Sequence, residues 1–256
     1  MRARIVMIAI VMAATPARAD HWYDDHRRVA HVAVTATVGL AYLASETVLK
    51  SHLASTNCRW CNPDGLDVDV RNALLWSNTV RATNLSNFTG YVAAPGFSLG
   101  LTIAGTVTRG GALPAVLDDV LPVIDSALAA EVLVQTTKFA VARQRPGVHF
   151  GLPAPPQLED NVSFFSAHSA STFAFATGAA MIARHHHSWA EPYLWTIGYT
   201  LAATTAYLRI AADKHYFTDV ITGTVVGIGA GLAIPIVEER VELVPSGTGV
   251  AVVGMF

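Results

Sequence analysis

A chain of 256 residues is long enough for one domain or a compact pair. Its 17 Lys and Arg against 19 Asp and Glu give a net charge of -2, which excludes the basic surface that DNA or another polyanion would need. Only 14% of the residues are charged and 52% are hydrophobic. An ordinary soluble domain has about 25% charged residues, so composition points to a membrane protein or a tightly packed helical one.

The chain opens with MRARIVMIAIVMAATPARAD. Arg2 and Arg4 precede an apolar run from Ile5 to Ala14, and ARA stands before Asp20, the order of parts in a secretory signal. The run is short of the ~20 residues that cross a bilayer, so residues 1–19 read as a cleaved signal in preference to an uncleaved anchor. In an exported chain, Cys58 and Cys61 of CRWC read as a local disulfide that pins a loop. A zinc site would need two further ligands, and His52 alone is thin support.

Five stretches carry no Asp, Glu, Lys or Arg: 29–45, 82–108, 161–183, 192–208 and 220–237. A sixth, 113–143, is apolar but interrupted by Asp118, Asp119, Asp125 and Glu131. These are helical lengths, since strands rarely exceed ten residues, and Gly and Pro mark the joints at 109–114, 146–156 and 190–192. The expected fold is all-α: a bundle of about six helices, membrane-embedded in preference to soluble, with residues 241–256 forming a short β-hairpin that turns at Ser246-Gly247-Thr248-Gly249. The expected division is a signal at 1–19, an N-terminal helix and Cys-containing loop at 20–84, a main helical domain at 85–240 and the hairpin.

Three segments carry chemistry. KFAVARQRP places Lys138 and Arg145 seven residues apart, so on one helix they would share a face, with Pro146 ending the helix after them. SFFSAHSAST sets His168 among small and aromatic residues, and alone it would read as a satisfied core histidine. LRIAADKHYFTD supplies Arg209, His215 and Asp219. If a helix starts near His215, Asp219 lies one turn on, close enough to fix the tautomer of the imidazole.

Taken in order, these segments resemble the type 2 phosphatidic acid phosphatase family, whose relatives include the vanadium haloperoxidases. The family pattern is K-x6-R-P, then P-S-G-H, then S-R-x5-H-x3-D. The first motif is complete at Lys138, Arg145 and Pro146; the second keeps Ser166 and His168 but has Phe165 and Ala167; the third has Leu208 where the family has Ser. The resemblance implies that His215 is a nucleophile oriented by Asp219 and that His168 is the general acid and base. It implies that Lys138, Arg145, Arg209, the Ser166 hydroxyl and the Ala167 N–H hold the phosphoryl oxygens. The implied activity is a metal-independent, cofactor-free phosphatase acting through phosphohistidine on a lipid phosphate or small phosphomonoester. A soluble periplasmic non-specific acid phosphatase, a vanadate-dependent haloperoxidase and a non-enzymatic envelope protein are the alternatives.

Two tracts outside the motifs also draw the eye. RHHH at 184–187 reads as a cap on the C-terminal end of its helix, and Glu131 and Gln135 read as support for the Lys138 clamp. All three motifs are expected at one end of the bundle, facing the periplasm. A cleaved signal conflicts with that orientation if 29–45 spans, because Asp20 would then start outside.

Overall fold

The computed structural model describes residues 18–151, 157–246 and 249–254. The signal expected at 1–19 lies outside these residues, except for its last two. Helix α1 (Arg18–Glu46) is followed by the short α2 (Lys50–Leu53) and by α3 (Gly65–Leu74), which Asp64 caps by accepting from Asp67 N at 2.8 Å. Helix α4 (Thr79–Phe88) continues through a π-turn (Thr89–Ala93) into α5 (Ala94–Thr108). Then come α6 (Leu113–Val141), the single turn α7 (Pro146–His149) and α8 (Ala167–His185). A short α9 (Glu191–Tyr193) leads through a second π-turn (Leu194–Gly198) into α10 (Tyr199–Ala211), and α11 (Phe217–Arg240) follows. Val241–Ser246 (β1) and Gly249–Gly254 (β2) pair antiparallel after it.

The six long helical stretches are the six expected, but three boundaries differ where the chemistry lies. Helix α6 stops at Val141, not at Pro146. Ala142 takes a left-handed conformation (φ 48°), its N–H closing on Lys138 O at 3.0 Å. The chain then runs extended beside the CRWC loop: Arg59 N donates to Ala142 O and Gln144 N to Trp60 O, both at 3.0 Å. Arg145 is therefore not on the face of the helix that carries Lys138; tertiary pairing, not helical spacing, brings the two together. Helix α8 starts only at Ala167, and α11 starts at Phe217, two residues after His215.

Helix α8 is the centre of the bundle, with thirteen of its residues buried. It packs on α11 through small residues. At Gly223 a Cβ would land 2.5 Å from Ser166 O, and at Gly231 2.5 Å from Thr177 Cβ; between them Gly227 lies against the Ala170 carbonyl. The departures from the family's second and third motifs serve this core. Phe165 packs with Ala127, Ala130 and Val134 of α6, and Leu208 is buried.

Three helical stretches are long and apolar enough to cross a membrane: Asp25–Glu46, Thr79–Thr108 and Phe217–Glu238. Helices α1 and α6 run in the same direction, as the pairs Arg28–Asp118 (2.8 Å), His31–Asp125 (2.6 Å) and Tyr42–Glu131 (3.0 Å) show. The start of α1 thus lies at the end opposite Lys138. There α8 ends as expected of its basic tract, with His185 in the last turn and His186 as cap, 2.8 Å from Asp119.

Candidate active site

Each motif residue reaches the site from a helix end or the loop beside it. Lys138 comes from the last turn of α6, Arg145 from the extended segment after it, and Ser166, Ala167 and His168 from the start of α8. Arg209 comes from the last turn of α10, His215 from the loop before α11 and Asp219 from its first turn. All but Ala167, which is half-buried, are buried. Lys138, Arg145 and Arg209 all act electrostatically on both His168 and His215, so the three segments converge on one centre.

The two imidazoles are kept neutral. Burial first, and then the cations around them, hold both well below the ordinary histidine value. His215 Nε2 lies 3.4 Å from Arg145 Nη1. A guanidinium only donates, so Nε2 carries the lone pair and Nδ1 the proton. That proton faces Asp219 Oδ2 at 3.5 Å and the Ser163 carbonyl. The His215–Asp219 contact is thus an ion-pair separation, longer than a hydrogen bond. His168 Nε2 meets Asn87 Oδ1 at 3.0 Å, and its ring lies 4.5 Å from that of Tyr91. Gly90 of the π-turn makes room for it, since a Cβ there would stand 2.7 Å from His168 Cδ2.

Ser166 is the N-cap of α8, and its hydroxyl oxygen accepts from Ser169 Oγ at 3.0 Å. Its own hydrogen is left to donate, and the first amides of α8 beside it lack intrahelical partners, as at any helix start. Arg209 Nη1 donates to Ser86 Oγ at 3.2 Å, while its Nε has no partner. Arg145 is held by Glu159 through the carbonyl (2.7 Å) and the carboxylate (2.8 Å), and by Lys214 O (2.8 Å). Burial pushes the Glu159 carboxyl up, but Arg145 and Lys50 outweigh it and hold it at about 2. A cavity of about 160 Å³ opens here, lined by Arg145, Glu159, Lys214 and Thr83. A larger one, about 780 Å³, lies at the far end, by His31, Asp125 and Glu238, away from every motif residue.

Several site residues carried no motif. Arg143 is buried between Asp67 of α3 and Asp219, donating to both and to Thr218 Oγ1 (2.8 Å). Its guanidinium lies 3.8 Å from the Trp60 ring and 4.3 Å from that of Tyr216. Arg71, one turn after Asp67, grips Asp213 through Nε and Nη2, both at 2.6 Å. Asn87, Glu159 and Ser163 complete the surroundings. The only signal in the sequence was the first arginine of RQR and the Asp64–Asp67 cap spacing. Carboxylates therefore surround the motifs, and each has a cationic partner: Asp67 and Asp219 share Arg143, Asp213 has Arg71, and Glu159 has Arg145 and Lys50. Cys58 and Cys61 are disulfide-bonded and flank the Arg59–Trp60 backbone that pairs with residues 142–144. Of the two supporting residues, Glu131 accepts from Tyr42, and neither amide atom of Gln135 has a partner.

No sequence among the curated proteins matches this chain. Among solved structures, the crystal structure of Aquifex aeolicus LpxE is similar at 24% identity and a TM-score of 0.47, covering 67% of this chain and 93% of that one. The PAP2 superfamily profile matches residues 119–241. That stretch carries all three motifs and the buried histidines they deliver, so the match to the PAP2 superfamily falls on the part of the chain that builds the site.

Proposed function

We propose that this protein is a membrane-embedded phosphatase that hydrolyses a lipid phosphate through a phosphohistidine. The observation that carries the reading is a neutral His215, bare at Nε2, set beside three buried cations and a second neutral histidine. Nε2 attacks phosphorus, the N–P bond forms as the P–O bond breaks, and the departing alkoxide takes a proton from His168. Water then attacks the phosphohistidine, giving its proton to His168 and releasing phosphate. Lys138, Arg145, Arg209, Ser166 and the Ala167 N–H hold the equatorial oxygens, where positioning and charge do most of the work of phosphoryl transfer. The incoming phosphate displaces Glu159 from Arg145.

Membrane residence is supported by what the spanning-length helices show outward. Leu40 of α1, Val92 and Val107 of the α4–α5 stretch and Val225 of α11 are all more than half exposed, an apolar surface too extensive for water. A soluble bundle would need polar residues there. A site that opens at the end of such a bundle supports a lipid substrate.

Phosphate release by the purified protein from phosphatidic acid, other alkyl phosphates and p-nitrophenyl phosphate tests the reading. His215→Ala should abolish turnover of all, and vanadate should inhibit while EDTA does not. His168→Ala should lose about 10²–10⁴-fold on alkyl phosphates, whose leaving groups need a proton, and far less on p-nitrophenyl phosphate. Equal losses on both would remove His168 from the acid role; activity in His215→Ala would end the phosphohistidine reading.

A further inference from the structure

Asp219 and Asp67 share one arginine. Arg143 Nη1 donates to Asp219 Oδ1 and Nη2 to Asp67 Oδ2. This leaves Asp219 Oδ2 with Ser163 Oγ (2.6 Å), Tyr216 N (3.0 Å) and the Nδ1 side of His215 (3.5 Å). Asp67 also binds Thr218, accepting from its N–H at 2.9 Å and its hydroxyl at 2.8 Å. We infer that Asp67, on a helix outside the family-matched stretch, is a positioning residue for the nucleophile: by drawing half of the Arg143 fork to itself it keeps Asp219 Oδ2 for His215.

The reasoning is geometric and electrostatic. A guanidinium prefers to meet one carboxylate with two parallel N–H bonds. Here it gives Nη1 to Asp219 and Nη2 to Asp67, and the two carboxylates with their one guanidinium keep a net negative charge. Remove the charge of Asp67, and the fork is free to take both oxygens of Asp219. Oδ2 then turns from His215, and the remaining negative charge that favours a proton on Nδ1 is cancelled. The rings of Trp60 and Tyr216 on the guanidinium hold it in the shared arrangement. The inference rests on His215 being the nucleophile of a phosphatase.

Asp67→Asn tests it, because the amide oxygen can still accept from Thr218 N and the fold of the loop is retained. Turnover should fall roughly ten-fold or more, as expected where a catalytic histidine loses its tautomer control, while vanadate affinity stays within about two-fold because the cation clamp is untouched. Adding Asp67→Asn to Asp219→Asn should cost nothing further, since Asp67 acts through Asp219. Arg143→Lys, which cannot divide a fork, should give the same signature if Asp67→Asn does not fold. Nitrogen-15 spectra of histidine-labelled protein give a readout that needs no turnover: His215 should be protonated at Nδ1 in the native protein and mixed between the nitrogens in Asp67→Asn. Unchanged turnover and spectra, multiplicative losses in the double variant, or vanadate affinity falling with turnover would each overturn the inference. A native protein that releases no phosphate would end the phosphatase reading instead, and the spectra would still decide the role of Asp67.

Discussion

His168 faces a contradiction that only the substrate can resolve. In the free protein, burial and the charges of Arg209, Lys138 and Arg145 keep it unprotonated at neutral pH, yet a general acid must carry a proton. A bound phosphoryl dianion supplies two negative charges among those same cations and reverses the field, so binding should load the acid. Calorimetry of vanadate binding at pH 7.5, in buffers of differing ionisation enthalpy, should therefore show uptake of about one proton by the native protein that His168→Ala lacks. Identical buffer dependence in the two would show that His168 does not take the proton. The sign for stability runs the same way. A histidine held below 6.5 on folding leaves the folded state fully stable above that pH, and stability declines as acid is added towards the depressed value.

At the scale of elements, the α8–α11 contact sets the distance between the two histidines, because α8 begins at the first and α11 just after the second. Gly227 lies against the Ala170 carbonyl, backbone that cannot step aside, whereas a Cβ at Gly229 meets nothing within 4 Å. Gly227→Ala should lower stability by about 1–3 kcal/mol, the usual cost of overpacking, and reduce turnover with it. Gly229→Ala, on the same helix, should do neither. Thermal unfolding in detergent, beside phosphate release, compares them; equal behaviour of the two variants would mean that the close approach does not set the site. The second brace is α3, whose Asp67 and Arg71 hold the loop from Asp213 to Asp219 at both ends with opposite charges. Breaking one partner of such a buried pair commonly costs 3–5 kcal/mol.

Across the whole molecule, the helices alternate in direction. Helix α1 rises towards the site, α4–α5 descend from it, α6 returns to it, α8 leaves, α10 returns and α11 leaves. A spanning α1 thus requires its start on the side opposite the site, where Arg28, Arg109 and Arg184 also lie. We propose that the N-terminal segment stays inside and the site faces out, an arrangement that would lift the conflict in the sequence-based topology. Cysteines introduced at Gln157 and at Asp25, both exposed, test this arrangement in cells with a permeabilised outer membrane. An impermeant maleimide should label Gln157→Cys in intact cells and Asp25→Cys only after lysis. Labelling of both before lysis would place α1 outside the bilayer or return the chain to a cleaved signal.

The sequence by itself determined the helical lengths, the order of the motifs and the residues that meet at the site, because apolar runs and fixed motif spacings are local properties of the chain. It misplaced the end of α6, since the left-handed turn at Ala142 is held by Arg59 and Trp60, some eighty residues earlier. It passed over Arg143, Asp67 and Asn87, whose roles depend on partners 76 to 81 positions away. A buried charge is worth its place only beside its counter-charge, and which carboxylate meets which arginine was decided when α3 and the CRWC loop folded against the ends of α6 and α11.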